Sequence, residues 1–513
     1  MRTLLIMPPY PILEYPTIPM GMAYVAAALR KEGKEVQVED YLVSEYSEEK
    51  LRRKIAEFNP DIIGTTSVTM NFHGASAILR DVKNINDNII TVIGGPHVTF
   101  TAEETLSEYP WIDIVARGEG DYTLVDIVNG LPLKDIGGIA FKEKGKVIVN
   151  PLRPWIENLD ELAEPARDLF PISKYRALGD ECGIASSRGC PYNCAFCVGH
   201  KMVGRKGRFR TPKLVVDEIE HILELGFTRI NIVDDLLTAR KSHVYAICDE
   251  ILARNIKVPW SAYTRVDTVD KELYTKMREA GCYYVLYGVE SGCQKILDNV
   301  HKKITPEKVV WAVNLATECG IKSIASFVIG LPGETKETLA QSVAFAKTLN
   351  THYGFHLLAP FPGTEVRERA EEFGMRILTN DWSKYDANGA IVEYDGCSAE
   401  DLLRVDREYR EDAEAYVAKV EELRRSGKVF EYEDWRQNSQ HRNHIAAALL
   451  QSDVIENLGY LHEDGDRIRQ LAASLSNRIP YPSDHIERVI GELVSEGLLQ
   501  HQSSPEGVVW SWV

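Results

Sequence analysis

Two rhythms of apolar residues alternate along residues 1–116. Short runs at Leu4–Met7, Glu35–Val38, Ile62–Thr66, Ile89–Ile93 and Ile112–Ala116 have the length and composition of buried strands. Between them, Gly21–Glu32, Ser47–Phe58, His73–Asn84 and Ala102–Tyr109 carry helical spacing, with Ser47 placed to cap one helix and Gly33 to stop another. Strands alternating with helices predict a doubly wound parallel sheet, flavodoxin- or Rossmann-like, over residues 1–150. Residues 151–181 carry Pro151, Pro154, Pro165 and Pro171 without a sustained period and read as a linker. Alternation resumes with strands at Gly183–Ser187, Arg229–Val233, Trp260–Thr264, Tyr283–Val289, Ser323–Ile329 and His352–Leu358. Helices are expected between them at Leu214–Leu225, Ser242–Arg254, Lys271–Ala280, Pro306–Cys319 and Lys336–Leu349. Six strands joined by right-handed crossovers predict a partial (β/α)6 barrel over 182–390, with every strand end on one rim. Residues 391–513 read as mostly helical: a long charged helix at Ser398–Arg425, then His444–Leu450, Ile468–Leu475 and His485–Ser495. Two short terminal runs, Gly497–Gln500 and Val508–Val513, give that end a winged-helix look, suited to gripping a substrate or capping the barrel mouth. The fold class is α/β.

Composition narrows the partners. With 44% hydrophobic and 26% charged residues the chain can bury a sizeable core. Its 59 basic against 76 acidic residues, a net charge of −17, argue against a nucleic-acid partner. The basic run Lys201–Arg210 is the exception, as a solvated loop or as a contact for an anionic ligand. No apolar run approaches the roughly 18 residues that span a bilayer. The opening Met1–Met7 is too short an apolar stretch for a signal peptide. Nine cysteines, three clustered and six scattered, do not form a disulfide framework, so a reducing cytoplasm is expected.

The clustered three, Cys190, Cys194 and Cys197, are spaced CxxxCxxC after the strand at Gly183–Ser187. Thiolates this close select zinc or an iron–sulfur cluster. Zinc wants four ligands and no second cysteine pair is apparent, whereas a cubane on three cysteines leaves one iron open. The first-sheet strand ends carry Tyr10 among prolines, then Ser67-Val68-Thr69-Met70-Asn71, Gly94-Gly95-Pro96-His97 and Gly118-Glu119-Gly120. These glycines let a large ligand approach the backbone, and no GxGxxG or Walker pattern is present. On the barrel rim, Asp234 and Asp235 point to opposite sides of an extended chain, so one of them faces the mouth. Arg265 is placed either to hold a carboxylate or to pair with Asp267, Glu290 stands among glycines, and Gly330 opens a tight turn. No Ser/His/Asp set or acid–base carboxylate pair is evident, which points to cofactor-driven chemistry.

CxxxCxxC with Phe196 before its third cysteine resembles the signature of radical S-adenosylmethionine (SAM) enzymes. The Gly-Gly-Pro-His and Gly-Glu-Gly loops resemble the cobalamin-binding domain that precedes many such barrels. Residues 1–390 are thus similar to cobalamin-dependent radical SAM enzymes, especially the subgroup with the anaerobic magnesium-protoporphyrin monomethyl ester cyclase. The resemblance implies a [4Fe-4S] cluster on the three cysteines and SAM on the open iron. It places Phe196, Asp234 or Asp235, Arg265, Glu290 and Gly330 against SAM, with Glu290 on the ribose hydroxyls. Cobalamin would meet Tyr10, Ser67, Thr69, Met70, Asn71, Gly94, Gly95, Pro96, His97, Gly118, Glu119 and Gly120. The chain departs from the family pattern in lacking DxHxxG, which leaves Thr69, Met70 and Asn71 below cobalt ahead of His97 or His73.

The implied activity is methylation of an unactivated carbon: SAM cleavage gives a 5′-deoxyadenosyl radical, which takes a substrate hydrogen before methylcobalamin delivers the methyl group. A peptide or protein substrate is implied by the winged-helix end, a methyl-coenzyme M reductase glutamine being one candidate. A flavodoxin- or ferredoxin-like electron donor and low oxygen go with it. The alternative is oxidative cyclisation of the porphyrin-cyclase type. A non-catalytic cobalamin or redox sensor is a third reading, against which the SAM-rim residues stand.

Overall fold

In the computed structural model the described residues are 1–10, 16–428, 442–450, 452–461 and 465–513. Within them the first sheet comprises β1 (Thr3–Met7), β2 (Val36–Asp40), β3 (Ile62–Thr66), β4 (Ile90–Gly94), β5 (Ile114–Ala116), β6 (Ile139–Glu143) and β7 (Lys146–Val149). The order is β2-β1-β3-β4-β5-β6-β7. The first five strands run parallel and β6–β7 add an antiparallel hairpin. The five expected strands are therefore joined by two more. Lys144 (φ 49°) and Gly145 (φ 78°) form the left-handed turn that joins them. A helix at Asp121–Val128 was also not expected. Ser47 caps its helix, its side chain accepting from the Lys50 amide. The helix expected from Ala102 starts earlier, at Pro96, because Gly95 turns the chain at φ 101° and proline suits the first helical position.

The second sheet holds β8 (Cys182–Ile184), β11 (Ile230–Ile232), β12 (Trp260–Thr264), β13 (Cys282–Glu290), β14 (Lys322–Ile329) and β15 (His352–Leu357), all parallel in the order β15-β14-β13-β12-β11-β8. The strand expected at 183–187 splits: β9 (Ser187–Arg188) leaves the sheet and pairs antiparallel with β10 (Arg208–Phe209). This hairpin closes the neck of the cysteine loop. The long helix Ala399–Arg425 lies along β15, where Tyr409 meets the rings of Tyr353 and Phe355 at 5.9 and 5.8 Å. Short antiparallel pairs β16 (Arg376–Ile377) with β17 (Val392–Glu393), and β18 (Leu499–Ser504) with β19 (Gly507–Trp512), complete the strands.

The terminal module, with helices over 442–450, Arg467–Leu475 and Ser483–Ser495, is tied to the first sheet. Buried Asp453 accepts from Ser44 Oγ (3.2 Å) and the Glu45 amide (2.9 Å), and it pairs with Lys50 and Lys174. No helix among the described residues is long and apolar enough to cross a membrane.

Candidate functional site at the facing strand ends

The cysteine loop begins where β8 ends, at the carboxyl end of the barrel sheet. Its root is fixed by Asp234, buried after β11, which accepts from the Ser186 amide (2.6 Å), the Ser187 amide (3.0 Å) and both serine hydroxyls (2.6 Å each). His243 Nε2 lies 3.2 Å from Ser186 Oγ and extends this buried network. Asp235 turns the other way. It is exposed towards the loop, accepts from the Gly189 amide (2.9 Å), and bears electrostatically on Cys190 and Cys197. Of the two acids, Asp235 is the one open to a ligand.

Cys190, Cys194 and Cys197 are free thiols, and each lies within electrostatic reach of the others. Burial pushes all three thiols up, Cys197 to about 11, so their ionisation needs a compensating positive centre. Lys302 and Arg265 supply part of that field at Cys194. Phe196 is half-buried against the core. Glu290 ends β13 in a left-handed conformation (φ 69°) at a register shift against β14, and its carboxylate pairs with Lys302 Nζ at 2.7 Å. The side chain folds back so tightly that a Cβ on Gly288 would meet Glu290 Oε1 at 2.4 Å. Arg265 adopts the ion-pair alternative: it binds Asp267 (2.9 and 3.0 Å), donates to the Lys302 carbonyl (2.7 Å) and covers the Tyr192 ring at 3.6 Å. Gly330 does not join this group. Its carbonyl accepts from Tyr394, and a Cβ there would touch Leu402 and Val392.

Facing the loop, a cavity of about 470 Å3 opens at the strand ends of the first sheet. Gly64, Gly94, Gly95, Pro96, Gly118, Glu119 and Gly120 line it from the first sheet; Arg188, Val203 and Asp235 line it from beside the cysteine loop. At Gly95 a Cβ would lie 2.4 Å from the Ser67 carbonyl, and at Gly64 it would lie 3.0 Å from Leu5. At Gly95, with backbone in the way and φ 101°, only glycine fits. Ser67 Oγ and Asn71 Nδ2 are buried without a hydrogen-bond partner among the described residues. Thr69 and His97 are buried with them, Met70 is half-exposed, and Thr69 Oγ1 lies 3.4 Å from His97 Nδ1. His97 stacks on Phe72 (4.4 Å) and Trp382 (5.0 Å), and burial lowers its pKa to about 3, so the imidazole stays neutral. A larger cavity of about 890 Å3 lies beyond the ends of β1 and β2, against helix 442–450, and Tyr10 lines that one instead.

The basic run after the cysteines is largely paired within the chain: Lys201 with Glu368, Lys206 with Glu157, Arg208 with Glu119 and Arg210 with Glu218. Arg188, Lys302 and Tyr192 are site residues that the motifs did not single out, and Arg208 entered only as part of the basic run Lys201–Arg210. The signal for Arg188 was its place two residues before Cys190; for Lys302 there was none, since it reaches Glu290 only through the fold.

Two facing rims, one glycine-walled and one bearing three thiols, define a two-cofactor enzyme. Residues 13–128 match the B12 binding domain family and residues 184–346 the Radical SAM superfamily. An uncharacterized methyltransferase of Pyrococcus horikoshii is 36% identical over 417 residues, which cover 79% of this chain and 90% of that one. The anaerobic magnesium-protoporphyrin IX monomethyl ester cyclase of Rubrivivax gelatinosus is 33% identical over 411 residues, 76% of this chain and 73% of that one. The chain belongs to the cobalamin-dependent radical SAM methyltransferase family, whose cofactors are cobalamin, a [4Fe-4S] cluster and SAM. Its fold is shared with two solved radical SAM enzymes, each 18% identical. The methyltransferase TsrM from Kitasatospora setae, with cobalamin and [4Fe-4S] cluster bound, has a TM-score of 0.64 over 96% of this chain and 99% of that one. OxsB with aqua-cobalamin bound has a TM-score of 0.68 over 96% and 84%.

The residues present fit these groups. The glycines line the cavity with bare backbone, and the two orphaned polar atoms, Ser67 Oγ and Asn71 Nδ2, suit a large ligand with many amide groups. Three mutually close thiols suit a cubane. Among the described residues no three His, Cys, Asp or Glu side chains converge as ligands of a single ion.

Proposed function

We propose that this enzyme methylates an unactivated carbon, with residues 1–150 holding cobalamin, 182–390 holding the cluster and SAM, and 391–513 recognising substrate. One observation carries the reading: a single cavity takes its walls both from the glycine rim of the first sheet and from Arg188, Val203 and Asp235 beside the cysteine loop. A substrate carbon held there lies between the two cofactors. When bound, these supply one-electron cleavage of SAM and a methyl group carried on cobalt. Cys190, Cys194 and Cys197 would hold the cluster. Asp235, exposed beside the loop, accepts from the SAM ammonium, and Glu290 binds ribose by exchanging Lys302 for the sugar hydroxyls. Phe196 and Arg265 would hold SAM from the cysteine-loop side, and Ser67, Thr69, Met70 and Asn71 would hold cobalamin from the first sheet.

The methyltransferase relative at 36% identity supports methyl transfer. The winged-helix-like end supports a peptide or protein substrate, for which a methyl-coenzyme M reductase glutamine is one candidate. A reducing, low-oxygen cytoplasm and a flavodoxin- or ferredoxin-like donor complete the proposal. The second reading, oxidative cyclisation, is favoured by the cyclase relative at 33% identity. The test is anaerobic reconstitution with iron, sulfide and cobalamin, reduction, and addition of SAM, followed by mass spectrometry with Cys194→Ala as control. 5′-Deoxyadenosine together with S-adenosylhomocysteine, the former lost in the variant, is expected. 5′-Deoxyadenosine alone would favour cyclisation, and neither product would end the enzyme reading.

A further inference from the structure

The neck of the cysteine loop contains an arrangement that cannot stand alone. Arg188 on β9 lies directly opposite Arg208 on β10. Directly opposed residues of an antiparallel pair share a face, and like charges there repel. Between the two guanidiniums sits one carboxylate from the other domain, Glu119. Its Oε1 accepts from Arg188 at 2.9 Å and its Oε2 from Arg208 at 2.9 Å. The Ile156 amide donates to the same Oε2 at 2.9 Å, tying in the linker. Asp121 adds two bonds of 3.1 Å to Arg188, while Tyr24 and Trp155 cover the two arginines. Three of the four charged side chains are buried, Arg208 at 2%, Glu119 at 6% and Asp121 at 5% exposed, and Arg188 is partly buried at 14%. Taking Glu119 away leaves Arg188 with Asp121 alone and Arg208 with only the Ile156 and Val203 carbonyls, and breaking a buried pair from one side is strongly destabilising.

Glu119 is also the middle of Gly118-Glu119-Gly120, whose glycines face the cavity of the first sheet. Gly118 holds φ 74°, a turn that favours glycine. One tight loop thus turns backbone to the cleft and its carboxylate to the neck of the cysteine loop. We propose that Glu119 is a positioning residue that locks this neck to the cobalamin rim, so that a corrinoid seated on Gly118 and Gly120 steadies residues 189–207. The coupling is reciprocal: a neck held by the cluster firms the rim for cobalamin. This rests on the cobalamin placement proposed above but not on methyl transfer, because it concerns the alignment of the two cofactors whatever the product.

Hydrogen–deuterium exchange on the cluster-reconstituted enzyme, with and without aquacobalamin, tests it. In the wild type, aquacobalamin slows exchange across 189–207. In Glu119→Gln, exchange at 187–188, 208–209 and through the loop rises on the order of tenfold and no longer responds to aquacobalamin. Trypsin then cuts faster at Lys201, Arg205 and Lys206. Glu157→Gln, which removes only the exposed pair with Lys206, behaves as wild type. Should Glu119→Gln fail to fold, Arg208→Lys keeps the charge but loses the fork, and faster neck exchange is again expected. Wild-type exchange in the variant that folds overturns the proposal. Wild-type exchange with weakened aquacobalamin titration would make Glu119 a corrinoid contact instead.

Discussion

The two rims that face each other recognise by opposite means. The barrel rim works with charge: Asp235, Glu290, Arg265 and Lys302 surround the cysteine loop, Glu290 pairing with Lys302, Arg265 with Asp267, and Asp235 accepting from the Gly189 amide. The first-sheet rim works with shape: Gly64, Gly94, Gly95, Gly118 and Gly120 clear a surface, and the polar groups behind it are neutral. Each suits its ligand. SAM is a small molecule with an ammonium and a carboxylate, for which fixed charges give orientation. Cobalamin is a bulky corrinoid, which needs room beside the backbone more than it needs a counter-ion. The difference teaches that glycine can be as functional as carboxylate, and that the two leave unequal marks in a sequence.

Breaking the shape side should have the largest effect. Gly95→Ala puts a methyl 2.4 Å from the Ser67 carbonyl at a φ of 101°, so the turn must open. A loss of about 4 kcal/mol of stability and no aquacobalamin titration are expected. Gly74→Ala, in the neighbouring helix with nothing within 4 Å, should instead gain about 0.5–1 kcal/mol. Urea unfolding measures both. Equal effects at the two glycines would remove the distinction between rim and scaffold.

On the charged side the adjacent acids separate structure from binding. Asp234→Asn loses acceptors from a network of two amides and two hydroxyls, and should cost about 3 kcal/mol, with loosened cluster retention. Asp235→Asn, at an exposed acid with one amide bond, should leave the unfolding midpoint nearly unchanged and raise the KM for SAM about tenfold. The reverse pattern would move the SAM contact to Asp234.

Much of this was legible because strand and helix periods differ. The barrel strand at Trp260–Thr264 was placed to the residue, and the other barrel strands to within a few residues. The three thiols were legible because CxxxCxxC is rare and local. What escaped was non-local. β6 and β7 alternate apolar and polar residues only weakly, and their Lys144-Gly145 turn was a faint signal. The pairing of Lys302 with Glu290, the choice of Asp235 over Asp234, and the grip of Glu119 on two arginines exist only once distant segments meet. Gly330 shows the converse: its Leu-Pro-Gly turn looked open in sequence, yet Tyr394 and Leu402 from the C-terminal region cover it.

The smallest expected effect on activity contrasts the two ends of one barrel. Glu290 lies at the rim with a lysine partner, whereas Glu181 lies just ahead of β8, at the opposite end, bonded to Ser261 (2.8 Å) and Tyr283 (2.9 Å). Desolvation raises the Glu181 pKa from 4.5 to about 7 against the help of those hydroxyls. A carboxyl that holds its proton more tightly when folded contributes stability in full below about pH 4.5 and loses it as pH rises towards 7. That loss should be about 3 kcal/mol, read as a falling unfolding midpoint across this window. Glu181→Gln should flatten the slope and leave 5′-deoxyadenosine formation unchanged, because active sites of such barrels lie at the other face. Glu290→Gln should keep the slope and raise the KM for SAM. If Glu181→Gln instead altered SAM cleavage while the slope persisted, the base of the barrel would belong to the chemistry, and the division between a charged working rim and a purely structural floor would fall.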